Sequence, residues 1–324
     1  MVGWLDRLQR RSRAAGFVIA VVYKYADDQG YYLAALIAYY AFLSLFPLLL
    51  LLTTVLGLVL ADRPDLQEAI LDSALAQFPV IGSQLGQPRQ LSGGASGVAI
   101  GIALALYGGL GAGQATQNAM ATVWAVPRSS RPDPIRSRLR SLLLLLVLGS
   151  ALLGTTLLAA VGRASSAVAP AKVGLIAAAL LINTAVCAVA FRVATPRRLA
   201  FREILPGAVC AALVWQLLQW FGAVYVGNVV RGASVTNSIF ALVLGLLAFL
   251  YLVAVSLVLT AELNAVRVNR LYPRALLTPF TDDVDLTAGD RRTYAGLAKA
   301  QQAKGFERVK VSFEKGDGPA APER

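Results

Sequence analysis

The chain has 324 residues, of which 57% are hydrophobic and 15% charged, with a formal net charge of +12 and no histidine. Its apolar residues lie in long uninterrupted runs, which excludes the short periodic patches of a soluble core and points to a polytopic membrane protein. Without histidine there are no His-based metal sites, no Ser/His or Cys/His nucleophile pairs and no ordinary general base, so no catalytic residue, metal site or cofactor is expected.

A bilayer core about 30 Å thick asks roughly 20 consecutive apolar residues of a spanning helix. Ahead of the first such run, the basic segment 1–32 has no small-residue cleavage site and reads as retained, not as a removed signal peptide. Within it, 14–25 is apolar but short, bracketed by Arg13 and by Lys24, Asp27 and Asp28, which predicts an interfacial or re-entrant helix. Six runs then qualify as spans: 33–60, 97–120, 142–161, 173–191, 205–226 and 239–263. The expected fold is therefore all-α, a six-helix transmembrane domain over 33–266 followed by a polar tail, 267–324.

Pro47, in the middle of the first run, removes a backbone hydrogen bond and should kink that helix. In the connection 61–95, Asp65 followed by Glu68 resembles a capping box, and Leu66, Ala69, Ile70 and Ala74 recur at helical spacing, predicting a short amphipathic helix that ends near Pro79. The second run carries two GxxxG pairs, Gly97 with Gly101 and Gly109 with Gly113, which would admit close approach of another helix. Cys187 and Cys210 sit inside apolar runs and are expected to pack as small hydrophobes. In the tail, 290–304 has helix-forming composition with Gly305 as a stop, Val309, Val311 and Phe313 alternate like a short strand, and the residues after Glu314 have the composition of disorder.

Orientation follows from the basic residues. The N-terminal segment, the second and fourth loops and the tail hold 25 Lys and Arg, and the first, third and fifth loops hold 5. By the positive-inside rule both termini are then cytoplasmic. The net positive charge is accounted for by this topology and by attraction to an anionic cytoplasmic leaflet, so membrane lipids are the expected partners and nucleic acid is not.

Polar groups in hydrocarbon are costly unless paired, so each is either a hydrogen bond between helices or part of a path. Gln114, Gln117 and Asn118 share one face of the second run, Asn183 and Thr184 lie near the middle of the fourth, and Gln216 and Gln219 share a face of the fifth. Glu262, the only ionisable acid or base within the six runs, lies with Asn264 near the end of the sixth. It is either an interfacial carboxylate paired with an arginine such as Arg192 or Arg267, or a gate or proton-coupling site. There is no GxxxxGK[ST] loop, so any transport would be passive, ion-coupled or powered by a partner.

Three stretches together resemble the YihY/BrkB family of bacterial inner-membrane proteins. They are YYLAALIAYYAFLSLFPLLLLL, with Ala38, Tyr39, Tyr40, Ser44, Phe46 and Pro47; QNAMATVW from Gln117 to Trp124; and ILPGAVCAALVWQLLQW through YVGN to TAELNAVR. VTNS at Val235 to Ser238 and AFLY at Ala248 to Tyr251 depart from the family pattern, and with the tail RLYPRALLTPFTDDVDLT they look more like its YhjD-type actinobacterial branch. The resemblance implies a plasma-membrane location. The ribonuclease label that members have carried fits poorly with a chain that has no histidine and no carboxylate pair in its spans. The expected function is envelope maintenance or transport of a lipid or other amphipathic molecule. The alternative is a non-transporting scaffold that recruits partners or anionic lipids through its basic loops and tail, as a homo-oligomer or with envelope proteins.

Overall fold

The computed structural model describes residues 12–59, 95–164, 169–225, 235–276 and 284–313. Among them there are helices and no strands: α1 (Arg13–Asp27), α2 (Gly30–Val59), α3 (Ala95–Val123), α4 (Pro134–Ala164), α5 (Ala169–Ala194), α6 (Phe201–Tyr225), α7 (Val235–Asn269) and α8 (Ala288–Ala300). The six long helices α2 to α7 follow the six apolar runs as far as the described residues go, and extend beyond ten of their twelve ends. The largest extension is at α4, which starts at Pro134 and takes Arg136, Arg138 and Arg140 into its first turns. Proline is well suited to a first helical position, where its missing N–H costs nothing. Pro47 lies inside α2, which continues through it to Val59.

By length and composition, three described stretches are long and apolar enough to cross a membrane: Ile176–Ala194, Phe201–Gly222 and Val243–Asn269, with Gly30–Leu45 as a shorter apolar helix. Leu181, Trp220 and Leu244 on these stretches, and Leu146 on α4, are each more than 60% exposed. A water-soluble monomer does not display apolar surface on this scale, whereas lipid tails cover it at no cost. The molecule is an integral membrane protein.

Each long helix packs on the next in sequence, and α7 returns to α2, so the six close into a ring; α3 also touches α5 and α7. The contacts are built from small residues. Ala34, Ala119, Ala194, Ala208, Ala212 and Ala265 are fully buried. Where lipid competes for every leucine, close backbone approach is what favours helix on helix. The α2–α3 contact shows how close: a Cβ at Gly108 would lie 2.7 Å from the backbone nitrogen of Ser44. Gly109 and Gly113 face Leu145 and Ser141 of α4, as the second GxxxG pair anticipates.

The chain beyond α7 folds back. Arg274, fully buried, pairs with Asp27 of α1 and Asp290 of α8, and lies near the rings of Tyr23 and Tyr294. Asp290 also closes a capping box with Thr287, which moves the start of the tail helix ahead of the expected 290–304, to Ala288, and the helix ends at Ala300. The strand expected at Val309, Val311 and Phe313 does not form. A strand needs a neighbour, and no second strand is present among the described residues to pair with it. The amphipathic helix expected within 61–95 and the segment after Glu314 lie outside the described residues.

Candidate functional site

Helix α1 is capped by Ser12, whose side chain accepts from Ala15 N–H. Gly16, Ala20 and Lys24, each four residues from the next, form its buried stripe, and α1 lies against α7. Two small residues bring the backbone close. The third then drives an ammonium group into the protein, where Lys24 is 2% exposed.

Its Nζ serves three acceptors. It donates to Asp28, one turn on, and to the carbonyl of Val123 at 3.2 Å, and it stands 3.5 Å from Oε2 of Glu262 on α7. Val123 closes α3, so its carbonyl is one of the unsatisfied groups at the negative end of a helix. Burial alone would lower the Lys24 pKa, but Glu262 and Asp28 outweigh it and leave the group above its ordinary value, fully charged. The contact with Glu262 is an ion pair and too long for a good hydrogen bond. Both Glu262 oxygens and Asp28 Oδ1 accordingly have no hydrogen-bond partner. Next to them the Tyr25 phenol is pushed up to about 12, first by burial and then by Tyr251 and Glu262.

The pairing of Glu262 with Arg192 or Arg267 is thus corrected: its cation is Lys24. Arg192 lies 4.5 Å over the ring of Phe201. Arg267 is drawn to α6 by a defect there. Pro206 has no N–H, so the carbonyl of Arg202, four residues earlier, loses its helical donor. Arg267 supplies one at 2.6 Å and reaches Glu203 O at 3.2 Å. Asn264, one turn earlier on α7, accepts from Gly207 N–H at 2.8 Å and donates to Ile204 O at 3.0 Å. Asn264 therefore stitches α7 to the proline-interrupted turn of α6.

The remaining polar candidates divide into two groups. Gln117 is buried and donates to Ser137 O and Ser141 Oγ of α4, both at 2.9 Å, which closes that face by packing. Asn118 accepts from Arg131 at 2.9 Å, and Gln114 is exposed. Asn183 and Thr184 are half-buried on α5; on the adjacent α6, Gln216 is exposed and Gln219 half-buried. Gln117 is thus spent between α3 and α4, whereas the other four lie on two neighbouring helices.

A family model described as virulence factor BrkB matches residues 21–282, a span that includes Lys24, Asp28, Glu262 and the docked Arg274. The chain belongs to the BrkB family. Neither the curated proteins nor the solved structures hold a significant match. For this member of the family, Lys24 and Asp28 are the site residues that sequence reasoning missed. The four-residue rhythm of Gly16, Ala20 and Lys24 was the available signal, since it places the lysine on the face that packs.

Proposed function

We propose that this protein crosses the bacterial plasma membrane six times, with both termini cytoplasmic, and handles a lipid or other amphipathic molecule in maintenance of the envelope, without an enzymatic step. The observation that carries this reading is the set of side-chain amides on the neighbouring helices α5 and α6, with Gln216 exposed and Asn183 and Gln219 half-buried. Measured along ideal helices from the cytoplasmic ends, Asn183 lies about 16 Å deep and Gln216 about 22 Å deep, inside a hydrocarbon core of about 30 Å. An exposed amide at that depth is costly unless it meets a polar group. A lipid head group passing along the α5–α6 surface, its tails in the bilayer, would supply one. The cytoplasmic arginines would hold anionic lipids at the entrance.

The test is lipid translocation by the full chain in proteoliposomes, using a fluorescent phospholipid. Gln216→Leu and Asn183→Leu should each slow it about tenfold, equivalent to about 1.4 kcal/mol on the barrier, with no loss of thermal stability. Unchanged translocation together with lost self-association on crosslinking would reassign these amides to a homo-oligomer contact. A scaffold role draws support from the docked tail, in which Arg274 ties α8 to α1. On that reading removal of the tail abolishes partner recruitment and leaves translocation at the level of empty liposomes throughout.

A further inference from the structure

Lys24, Asp28 and Glu262 are each at most 5% exposed, and together they place two carboxylates against one ammonium. Fully ionised, the cluster would carry an unbalanced negative charge out of contact with water, a state proteins avoid by pairing or by protonation. Two tail arginines that follow Glu262 in the chain are committed elsewhere: Arg267 is bound to α6 carbonyls and Arg274 to Asp27 and Asp290. The elements packed around Glu262 bring little else. Helices α2 and α3 contain no charged residue, although α3 adds the Val123 carbonyl at its negative end. On α6 only Arg202 and Glu203 are charged, and Glu203 accepts from Ala200 N–H at its own helix start. Helix α1 contributes Lys24, the Tyr25 phenol and Asp27, whose charge is paired with Arg274, and α7 itself contributes Tyr251 beside Tyr25.

The orphaned atoms complete the pattern. Asp28 Oδ1 and both oxygens of Glu262 are buried with no hydrogen-bond donor: Lys24 donates to Asp28 Oδ2 and Val123 O, and stands 3.5 Å from Glu262, beyond a good hydrogen bond. We infer that this cluster is a proton-binding site, in which Asp28 and Glu262 share one exchangeable proton and Lys24 is the fixed counter-charge. A single proton neutralises the excess charge and turns one orphaned oxygen into a donor for another. A metal ion fits less well, because the ammonium already pairs with both carboxylates and no group of three His, Cys, Asp or Glu that could hold one is present among the described residues. Since Asp28 caps the end of α1 and Glu262 is carried by α7, the shared proton is a hydrogen bond between those elements, and its loss leaves two carboxylate charges on one ammonium. The inference does not depend on what, if anything, passes along α5 and α6.

The experiment is infrared spectroscopy of the full chain in lipid nanodiscs, following the stretching band of protonated carboxyl groups. Wild type should keep such a band in neutral buffer, and Glu262→Gln should remove it. If the glutamine variant does not fold, isotope labelling of the glutamate carboxyls in wild type, and of the aspartates in a second sample, should shift the band. Absence of the band from wild type at neutral pH would overturn the proposal. So would a band untouched by either label, or one that disappears when sodium replaces an organic cation, which would make the site a metal-ion site.

Discussion

Lys24 and Tyr25 are adjacent in sequence, and alkaline pH acts on both in the same sense. The Lys24 pKa is raised above 10.5 because Glu262 and Asp28 overcome the effect of burial, and the Tyr25 pKa is raised by burial from 10.0 to about 12. In each case the folded protein holds the proton more tightly than the unfolded chain, so the stabilisation is complete below the ordinary value and is lost as pH rises through the folded one. The melting temperature of the purified protein should therefore be level from neutral pH to 10.0 and fall between there and about 12, with Tyr25→Phe losing part of that slope. A melting temperature that stays level across this range would refute the pairing. At the same scale, Glu262 was legible as a special position because it is the one ionisable acid or base in the six apolar runs. Its partner was not, because nothing local links position 24 to position 262, and the lysine's own segment is too short to look like part of the bundle.

Asn264 and Glu262 lie two residues apart on α7 and face different neighbours, which separates a packing role from an ionic one on a single helix. The α6–α7 contact depends on Gly207, where a Cβ would lie 2.3 Å from the Thr260 carbonyl oxygen and from Asn264 Nδ2. Gly207→Ala should push the two helices apart and cost about 1–3 kcal/mol, the usual penalty for overpacking, read as a lower melting temperature in detergent. An alanine variant as stable as wild type would mean that the contact is not tight. Helix existence was readable throughout because runs of this length leave few alternatives. Helix ends were not, because turns such as those holding Arg136 and Arg138 are polar and still helical. The alternation of Val309, Val311 and Phe313 misled for the opposite reason: a period of two is local, whereas a strand is a pairing between two segments.

For the whole molecule, the ring of helices and the split of basic residues make separate demands on topology. Closing α7 onto α2 needs all six long helices, whereas sidedness comes from the loops alone. Cysteines placed at Arg131 and Arg197 of a cysteine-free variant should be protected from impermeant thiol reagents in intact cells, while one at Gln84 should be labelled. Labelling of the first two would invert the orientation. The contact between Arg274 and Asp27 spans 247 residues of chain, and it imposes an order on biogenesis. At about 5–20 residues per second of synthesis, α1 leaves the ribosome roughly 10 to 50 s before the residues that hold it in place. The first of the described helices to be made thus completes its contacts late. Until then Lys24 and Asp28 have each other and the Val123 carbonyl but not Glu262, so a chain arrested before α7 leaves α1 without the helix it packs on most extensively.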